Sequence, residues 1–237
     1  MSIELSNEQK ARLERQITLI GEESTRRLAN AKIAVIGLGG VGGHVVEALA
    51  RSGVGNLELY DCDTVSESNI NRQIIATVST VGRKKTDVMR ERVLEINPEC
   101  NVSAIDVFIT KENADGLIRA SEADIVIDAI DNVSAKVALA LACREHGKYM
   151  FSSMGTGNKL NSDGYKIADI SKTSVCGLAR AVRRGLRDVG IEHLDVLYSE
   201  ETVKQSGSRL PASISYMPAI AGLKISEFII KRVVLLS

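Results

Sequence analysis

Aromatic residues are scarce in this chain of 237 residues: there is no tryptophan, and three phenylalanines and five tyrosines make up 3% of it. That leaves few platforms for unstacked bases, so a polynucleotide partner would have to be held mainly through its phosphates. Excess charge of either sign is also missing, with thirty Lys and Arg against thirty Asp and Glu. A whole-molecule field is excluded, and only a local patch can attract a polyanion. Long apolar runs are absent as well, the most apolar late segment being interrupted by Lys224, Glu227 and Lys231. Neither a membrane span nor a leader is expected, and the expected location is the cytoplasm. The four cysteines, Cys62, Cys100, Cys143 and Cys176, lack the C-x-x-C pairs that gather thiolates on one zinc, and they suggest no disulfide framework.

Against these absences stands Lys32-Ile33-Ala34-Val35-Ile36-Gly37-Leu38-Gly39-Gly40-Val41-Gly42, a β-branched strand running into a glycine-rich turn and then a helix, with Asp61 farther on. Gly37, Gly39, Gly40 and Gly42 let backbone approach phosphate oxygens, the helix aims free N–H groups at them, and Asp61 can accept ribose hydroxyls. Alone, the turn fits a nicotinamide-binding oxidoreductase as readily as an ATP enzyme.

The expected fold is one α/β domain over 1–237: a helical arm at 1–30, a nucleotide-binding half at 31–153 and a substrate-side part at 154–237. Ser6 and Gln9 read as a capping box opening a helix through about Ile20, broken by Gly21. Strand-like runs then alternate with helices: Ala31 to Ile36, helix Gly40 to about Arg51, Leu57 to Tyr60, helix Lys84 to about Ile96, Val102 to Val107, a short helix from Glu112, Ile125 to Ile130, helix Ser134 to Glu145, and Tyr149 to Ser152. Repeated β-α-β units predict a Rossmann-like, doubly wound parallel sheet. After Ser153 the rhythm changes to short strands at Tyr165 to Ile170 and Leu194 to Tyr198, expected to add antiparallel, around a helix near Val175 to Asp188. Pro218 would open a last helix that buries Ile220, Leu223, Phe228 and Ile229.

Chemistry gathers after the second strand. Asp61-Cys62-Asp63 is followed by Asn69-Ile70-Asn71-Arg72-Gln73 and Gly82-Arg83-Lys84-Lys85. Displacement at the α-phosphorus of a triphosphate calls for cations aimed at oxygens whose charge grows in the transition state, a task that suits Arg72 and Lys85. The fourth strand ends in Asp131-Asn132. Asp131 suits a hard cation such as Mg²⁺, and it equally reads as the cap of the helix that follows.

Gly37-x-Gly39-Gly40-x-Gly42, Asp61-x-Asp63, Asn69-x-x-Arg72-Gln73, Lys85, Asp131-Asn132 and the early Arg15-Gln16 together resemble the ubiquitin-activating superfamily, which includes bacterial molybdopterin- and thiamine-pathway adenylating enzymes. The resemblance spans residues 12 to about 155 and implies adenylation of a carboxylate with release of pyrophosphate. It implies that Asp61 binds ribose, that Asn69, Arg72 and Lys85 hold the triphosphate, that Asp63, Gln73 and Asn132 line the nucleotide site, and that Asp131 serves the metal. It also implies that Arg15 reaches into the partner's site of a homodimer, whereas the spacing of Arg15 alone reads as a solvated helix face.

The zinc-binding cysteine pairs of the thiamine and molybdopterin branches are absent. Asp169-Ile170-Ser171-Lys172-Thr173, Ser199-Glu200-Glu201 and Gly207-Ser208-Arg209-Leu210-Pro211-Ala212-Ser213 instead resemble the branch of tRNA threonylcarbamoyladenosine dehydratases. That branch implies ATP and Mg²⁺ as cofactors and tRNA carrying threonylcarbamoyladenosine as partner. The alternative within the superfamily is a ubiquitin-like sulfur carrier, with a sulfur-transfer partner. Cys176 then reads either as a thiol that accepts the acyl group or as a small buried cysteine with no reaction to perform.

The residues between Lys172 and Arg187 bear on this choice directly. Arg180, Arg183, Arg184 and Arg187 recur at helical spacing, Leu178, Val182 and Leu186 fall on another face, and the stretch holds no acidic residue. Such a stripe suits a phosphate backbone, or else a solvated face with anionic partners elsewhere in the fold. His44, His146 and His193 have no partner spacing, and Gly155-Thr156-Gly157 reads as a substrate entry or a plain tight turn.

Overall fold

The computed structural model describes residues 4–202 and 212–235. Helices α1 (Asn7–Arg12), α2 (Glu14–Ile20) and α3 (Glu22–Asn30) form the N-terminal arm. The capping box is present: Gln9 N donates to Ser6 Oγ at 3.1 Å and Ser6 N donates to Gln9 Oε1 at 2.9 Å. The single helix expected through Ile20 is split at Leu13, whose side chain is buried against Gly53. A backbone φ of −103° at Leu13 turns that side chain into the body and restarts the helix.

Seven strands form one sheet: β1 (Lys32–Ile36), β2 (Asn56–Asp61), β3 (Asn101–Asp106), β4 (Ile125–Asp128), β5 (Tyr149–Ser153), β6 (Tyr165–Asp169) and β7 (Asp195–Ser199). Their spatial order is β3-β2-β1-β4-β5-β7-β6. Every pairing is parallel except β6 with β7, where Tyr165 faces Ser199 and Asp169 faces Asp195. Antiparallel addition therefore occurs at the C-terminal end as expected, while β7 itself lies parallel to β5. β6 and a helix together carry the chain back between those two strands, a return that strand lengths alone do not reveal.

Helices α3, α4 (Gly40–Arg51), α5 (Lys85–Ile96) and α9 (Tyr216–Leu235) cover one face. α6 (Ala114–Ala120), α7 (Val133–Glu145) and α8 (Gly177–Asp188) cover the other. Coverage on both sides explains why Ile33, Ala34, Val35 and Ile36 are all buried and why the central strands are continuous apolar runs. Among the described residues no helix is long and apolar enough to cross a membrane.

In α9, Met217, Ala221, Ile225 and Ile229 form the fully buried stripe, so Ile229 is buried as expected and Leu223 is 52% exposed. Ile220 and Phe228 are partly buried at its flanks. Pro218 stands third in the helix, where its missing N–H would have had no intrahelical acceptor. α9 lies so close to α4 that a β-carbon on Gly222 would stand 2.6 Å from the Val41 carbonyl oxygen and 2.8 Å from His44 Cβ.

That close approach makes Gly222→Val a test of the two-helix packing. Overpacking costs about 1–3 kcal/mol and the return in helix propensity is only a few tenths of a kcal/mol, so Tm in a thermal melt is expected to fall. A variant melting at or above wild type would show that α9 does not pack this closely.

Candidate functional site

The turn between β1 and α4 is shaped by backbone approach. Gly37 adopts φ +92°, and a β-carbon on Gly42 would stand 1.7 Å from the Gly37 carbonyl oxygen. Gly39 caps α4 without a side-chain bond, leaving the first-turn N–H groups for an anionic ligand. Asp61, at the end of β2, is locked beside this turn: Leu38 N donates to its Oδ2 at 2.6 Å and Asp63 N to its Oδ1 at 2.8 Å. Each carboxylate oxygen keeps a lone pair with which to accept a ribose hydroxyl.

Two cations and two carboxamides flank the same segment. Lys85 opens α5, is 4% exposed, and pairs with Asp63 Oδ2 at 2.7 Å, its other ammonium protons having no partner among the described residues. Asn69 closes a short 3₁₀ turn, with its Oδ1 accepting from Ser66 N at 3.2 Å. Arg72 donates through one guanidinium nitrogen to Ser68 O at 2.8 Å and Asn71 Oδ1 at 2.9 Å. Gln73 is buried next to Gly39, and its Oε1 has no partner among the described residues. The Arg72 carbonyl lies against Gly40 together with Pro218. The structure thus brings Gly37, Gly39, Gly40, Gly42, Asp61, Asp63, Gln73 and Lys85 together at the carboxyl ends of β1 and β2, with the segment from Asn69 to Gln73 crossing the glycines by the Arg72 carbonyl and the Arg72 guanidinium turned to Ser68 and Asn71.

The cap of α7 is Asn132, whose Oδ1 accepts from Ala135 N at 3.0 Å and Ser134 Oγ at 2.8 Å. Asp131 is therefore not the cap; it is exposed and has no bonding partner among the described residues. A free carboxylate at the crevice fits a hard cation such as Mg²⁺. Asp61, Cys62 and Asp63 also hold three ligand atoms within 4.8 Å of one another. Both of these carboxylates are already bonded, and the Cys62 thiol is pushed up by partial burial and then by Asp63 and Asp61, which disfavours thiolate ligation.

Asp128 and Lys136 belong to no sequence motif and were not expected at the site. Both are fully buried and pair at 2.9 Å beneath the Asp131 loop. A lysine within the Ala- and Leu-rich stretch of α7 and an aspartate closing an Ile-Val-Ile strand were the available signal.

On α8, Arg180, Arg184 and Arg187 are exposed, as is Lys172 just before the helix, and none has an anionic partner among the described residues. Arg183 departs from the expected stripe. It is half-buried and donates to Ile170 O, Thr173 O and Thr173 Oγ1 at 3.1, 3.0 and 2.6 Å, because the turn preceding α8 leaves those acceptors under its guanidinium. A groove of about 220 Å³ runs among Arg180, Arg183, Arg184, Arg187 and Asp188. Val182 and Leu186 are buried as expected, and Leu178 lies near Gly155 after β5, so the helix begins at the rim of the crevice.

Arg15 is exposed on α2 without a partner among the described residues. Cys176 is buried at the N-cap of α8, and burial raises the Cys100 and Cys143 thiols to about 12. His44, His146 and His193 bond locally to Gly40 O, Asp115 and Asp169. Residues 207–211 of the second motif block lie outside the described residues.

The model of the ThiF family matches residues 13–232. The tRNA threonylcarbamoyladenosine dehydratase of Bacillus subtilis is 40% identical over 222 residues, covering 86% of this chain and 87% of that protein. The enzyme of the same name from Haemophilus influenzae is 47% identical over 165 residues, covering 70% of this chain and 63% of that protein. Crystal structures of Escherichia coli tRNA N6-threonylcarbamoyladenosine dehydratase in complex with AMP and with ATP superpose with a TM-score of 0.92 at 32% identity, covering 99% of this chain and 98% of theirs.

The electrostatics around Cys62 can be read by alkylation. Asp63→Asn removes one of the charges that raise its pKa, so the iodoacetamide rate at pH 8 is expected to rise by about severalfold. An unchanged rate would contradict the arrangement of Asp61, Cys62 and Asp63.

Proposed function

Because the chain belongs to the ThiF family, we propose that this crevice activates a carboxylate with ATP, and that the chain is a dehydratase of threonylcarbamoyladenosine carried on tRNA. The E. coli relative has been crystallised with ATP and with AMP, the nucleotides that begin and end an adenylation. The threonyl carboxylate attacks the α-phosphorus, pyrophosphate leaves, and an acyl adenylate forms. The urea group of the same substrate then attacks the activated carbonyl and expels AMP, closing a ring with net loss of water. An intramolecular attack of this kind requires no enzyme nucleophile, which agrees with a buried Cys176 and a Cys62 thiol that resists ionisation.

The observation that carries the reading is the meeting of the glycine turn, Asp61, Lys85 and the Arg72 backbone at the strand ends, beside a basic helix that has no ion pair among the described residues. In this reading Asp61 holds ribose, and the α4 N–H groups with Asn69, Arg72, Gln73 and Lys85 hold the phosphates. Asp63 keeps Lys85 in place until phosphate competes for it. Asp131 would hold Mg²⁺, which shields phosphate charge when bound. Lys172, Arg180, Arg184 and Arg187 hold tRNA phosphates, while Arg183 fixes the turn beneath them. Arg15, beside Leu19 at 84% exposure on α2, fits a finger offered to a second copy in a homodimer. A sulfur carrier in place of tRNA would share the adenylation step but would leave the basic helix without a role.

The substrate is tested by mass spectrometry of tRNA nucleosides after incubation with ATP: threonylcarbamoyladenosine is expected to lose one water, and an unaltered nucleoside would refute the reading. Arg72→Ala and Lys85→Ala are each expected to reduce ATP–pyrophosphate exchange by roughly 100-fold or more with the fold intact by circular dichroism. An unchanged exchange rate in either variant removes that residue from the mechanism.

Reversing Arg184 and Arg187 to Glu should weaken tRNA binding in a filter assay while leaving ATP affinity unchanged. The slope of log affinity against log salt is expected to flatten by about 0.7–0.9 for each phosphate that is no longer neutralised. Equal affinity and slope would exclude α8 as the tRNA surface.

A further inference from the structure

Nucleotide binding gives no reason for a fully buried ion pair in this layer. Lys136 Nζ donates to Asp128 Oδ2 at 2.9 Å, to Ser152 Oγ at 3.1 Å and to Ser153 O at 2.8 Å, which uses all three ammonium protons. Ser152 Oγ donates in turn to Asp128 Oδ2 at 2.6 Å, and Asp128 Oδ1 accepts the Ile130 N–H at 3.1 Å. Stability alone is a poor explanation, since well-packed apolar residues commonly replace such a pair without loss.

Its position is informative. The pair joins the last residue of β4, the last two of β5 and the first turns of α7, three elements whose ends wall the crevice. The loop above it carries Asp131 and is pinned at both ends, by Asp128 to Ile130 N and by Asn132 to the start of α7. That loop also bears on the phosphate turn. A β-carbon on Gly37 would stand 2.9 Å from Ala129 O and 3.0 Å from Ile130 Cγ2, and one on Gly42 would stand 3.3 Å from Ala129 Cβ.

We infer that Asp128, Lys136 and Ser152 form a buried clamp that holds the loop carrying Asp131, through Ala129 and Ile130, against the glycine turn, and are thereby positioning residues for carboxylate activation. The inference rests on the adenylation reading above. The clamp touches neither the glycine N–H groups nor Arg72 and Lys85, so ATP should still bind when it is loosened. Loosening it would instead misalign Asp131 with the α-phosphate, where charge develops in the transition state. The effect should appear in kcat and not in KM for ATP.

The test uses the full-length protein, ATP and tRNA carrying threonylcarbamoyladenosine, with pyrophosphate exchange as the rate measurement. Asp128→Asn combined with Lys136→Met removes the clamp without stranding a buried charge. This double variant is expected to melt cooperatively, to keep KM for ATP within about threefold, and to lose about 100-fold in kcat. Ser152→Ala keeps the ion pair but strands one buried ammonium proton; it is expected to lower Tm by a few degrees and to lose on the order of tenfold in kcat measured well below that Tm, with Ser152→Thr restoring both. A folded double variant with wild-type kcat, or one changed only in KM, overturns the inference. If the double variant does not fold, Ser152→Ala decides: a kcat loss with Thr rescue supports the clamp, and an unchanged kcat overturns it. Absence of exchange in the wild-type protein would instead refute the adenylation reading, so the two failures are distinguishable.

Discussion

The crevice depends on how closely backbone meets backbone where β1 turns into α4. With Gly42 pressed on the Gly37 carbonyl and the Ala129 carbonyl pressed on Gly37, side chains are excluded from the space where phosphates must lie. The consequences follow in sequence. Leu38 N reaches the Asp61 carboxylate, α4 offers its uncapped first turn, and the segment from Asn69 to Gln73 can cross above the glycines. A single β-carbon at Gly42 would push these groups apart, which is why the glycines govern geometry well beyond their own neighbours.

Charge is distributed just as locally. The chain is neutral overall, yet the cations on α8 have no anionic partner among the described residues, and Lys85 near the glycine turn is only partly engaged. Lys85 has Asp63 as its companion, so burial of the ammonium is compensated while two of its donors remain. On α8 there is no compensation within the described residues, and under the function proposed here the exposed arginines would meet tRNA phosphates. Scarce aromatics agree with binding through phosphates, whereas selection of the modified nucleoside must occur at the crevice itself.

Much of this was legible in the sequence because it depends on local patterns. The glycine spacing, the alternation of apolar strands with helices, the Ser6 capping box and the basic periodicity of α8 each act within a short stretch of chain. What escaped depends on the meeting of distant elements. Leu13 interrupts its helix because Gly53 leaves room for it, and Arg183 leaves the stripe because carbonyls of a preceding turn lie beneath it. Asp128 and Lys136 find each other across a strand-to-helix connection, and periodicity carries no sign of that pairing. Asp131 shows the reverse case: local pattern left it between a cap and a ligand, and Asn132 took the cap.

These features converge on a site that activates a substrate carboxylate and then lets the substrate close on itself. Oxygen tracing tests that sequence most directly. With heavy oxygen in the threonyl carboxylate of tRNA-borne threonylcarbamoyladenosine, attack on the α-phosphorus should deliver one labelled oxygen to the AMP that leaves during ring closure. Unlabelled AMP accompanying labelled water would contradict it, because the carboxylate would then have given up its oxygen without ever joining the nucleotide.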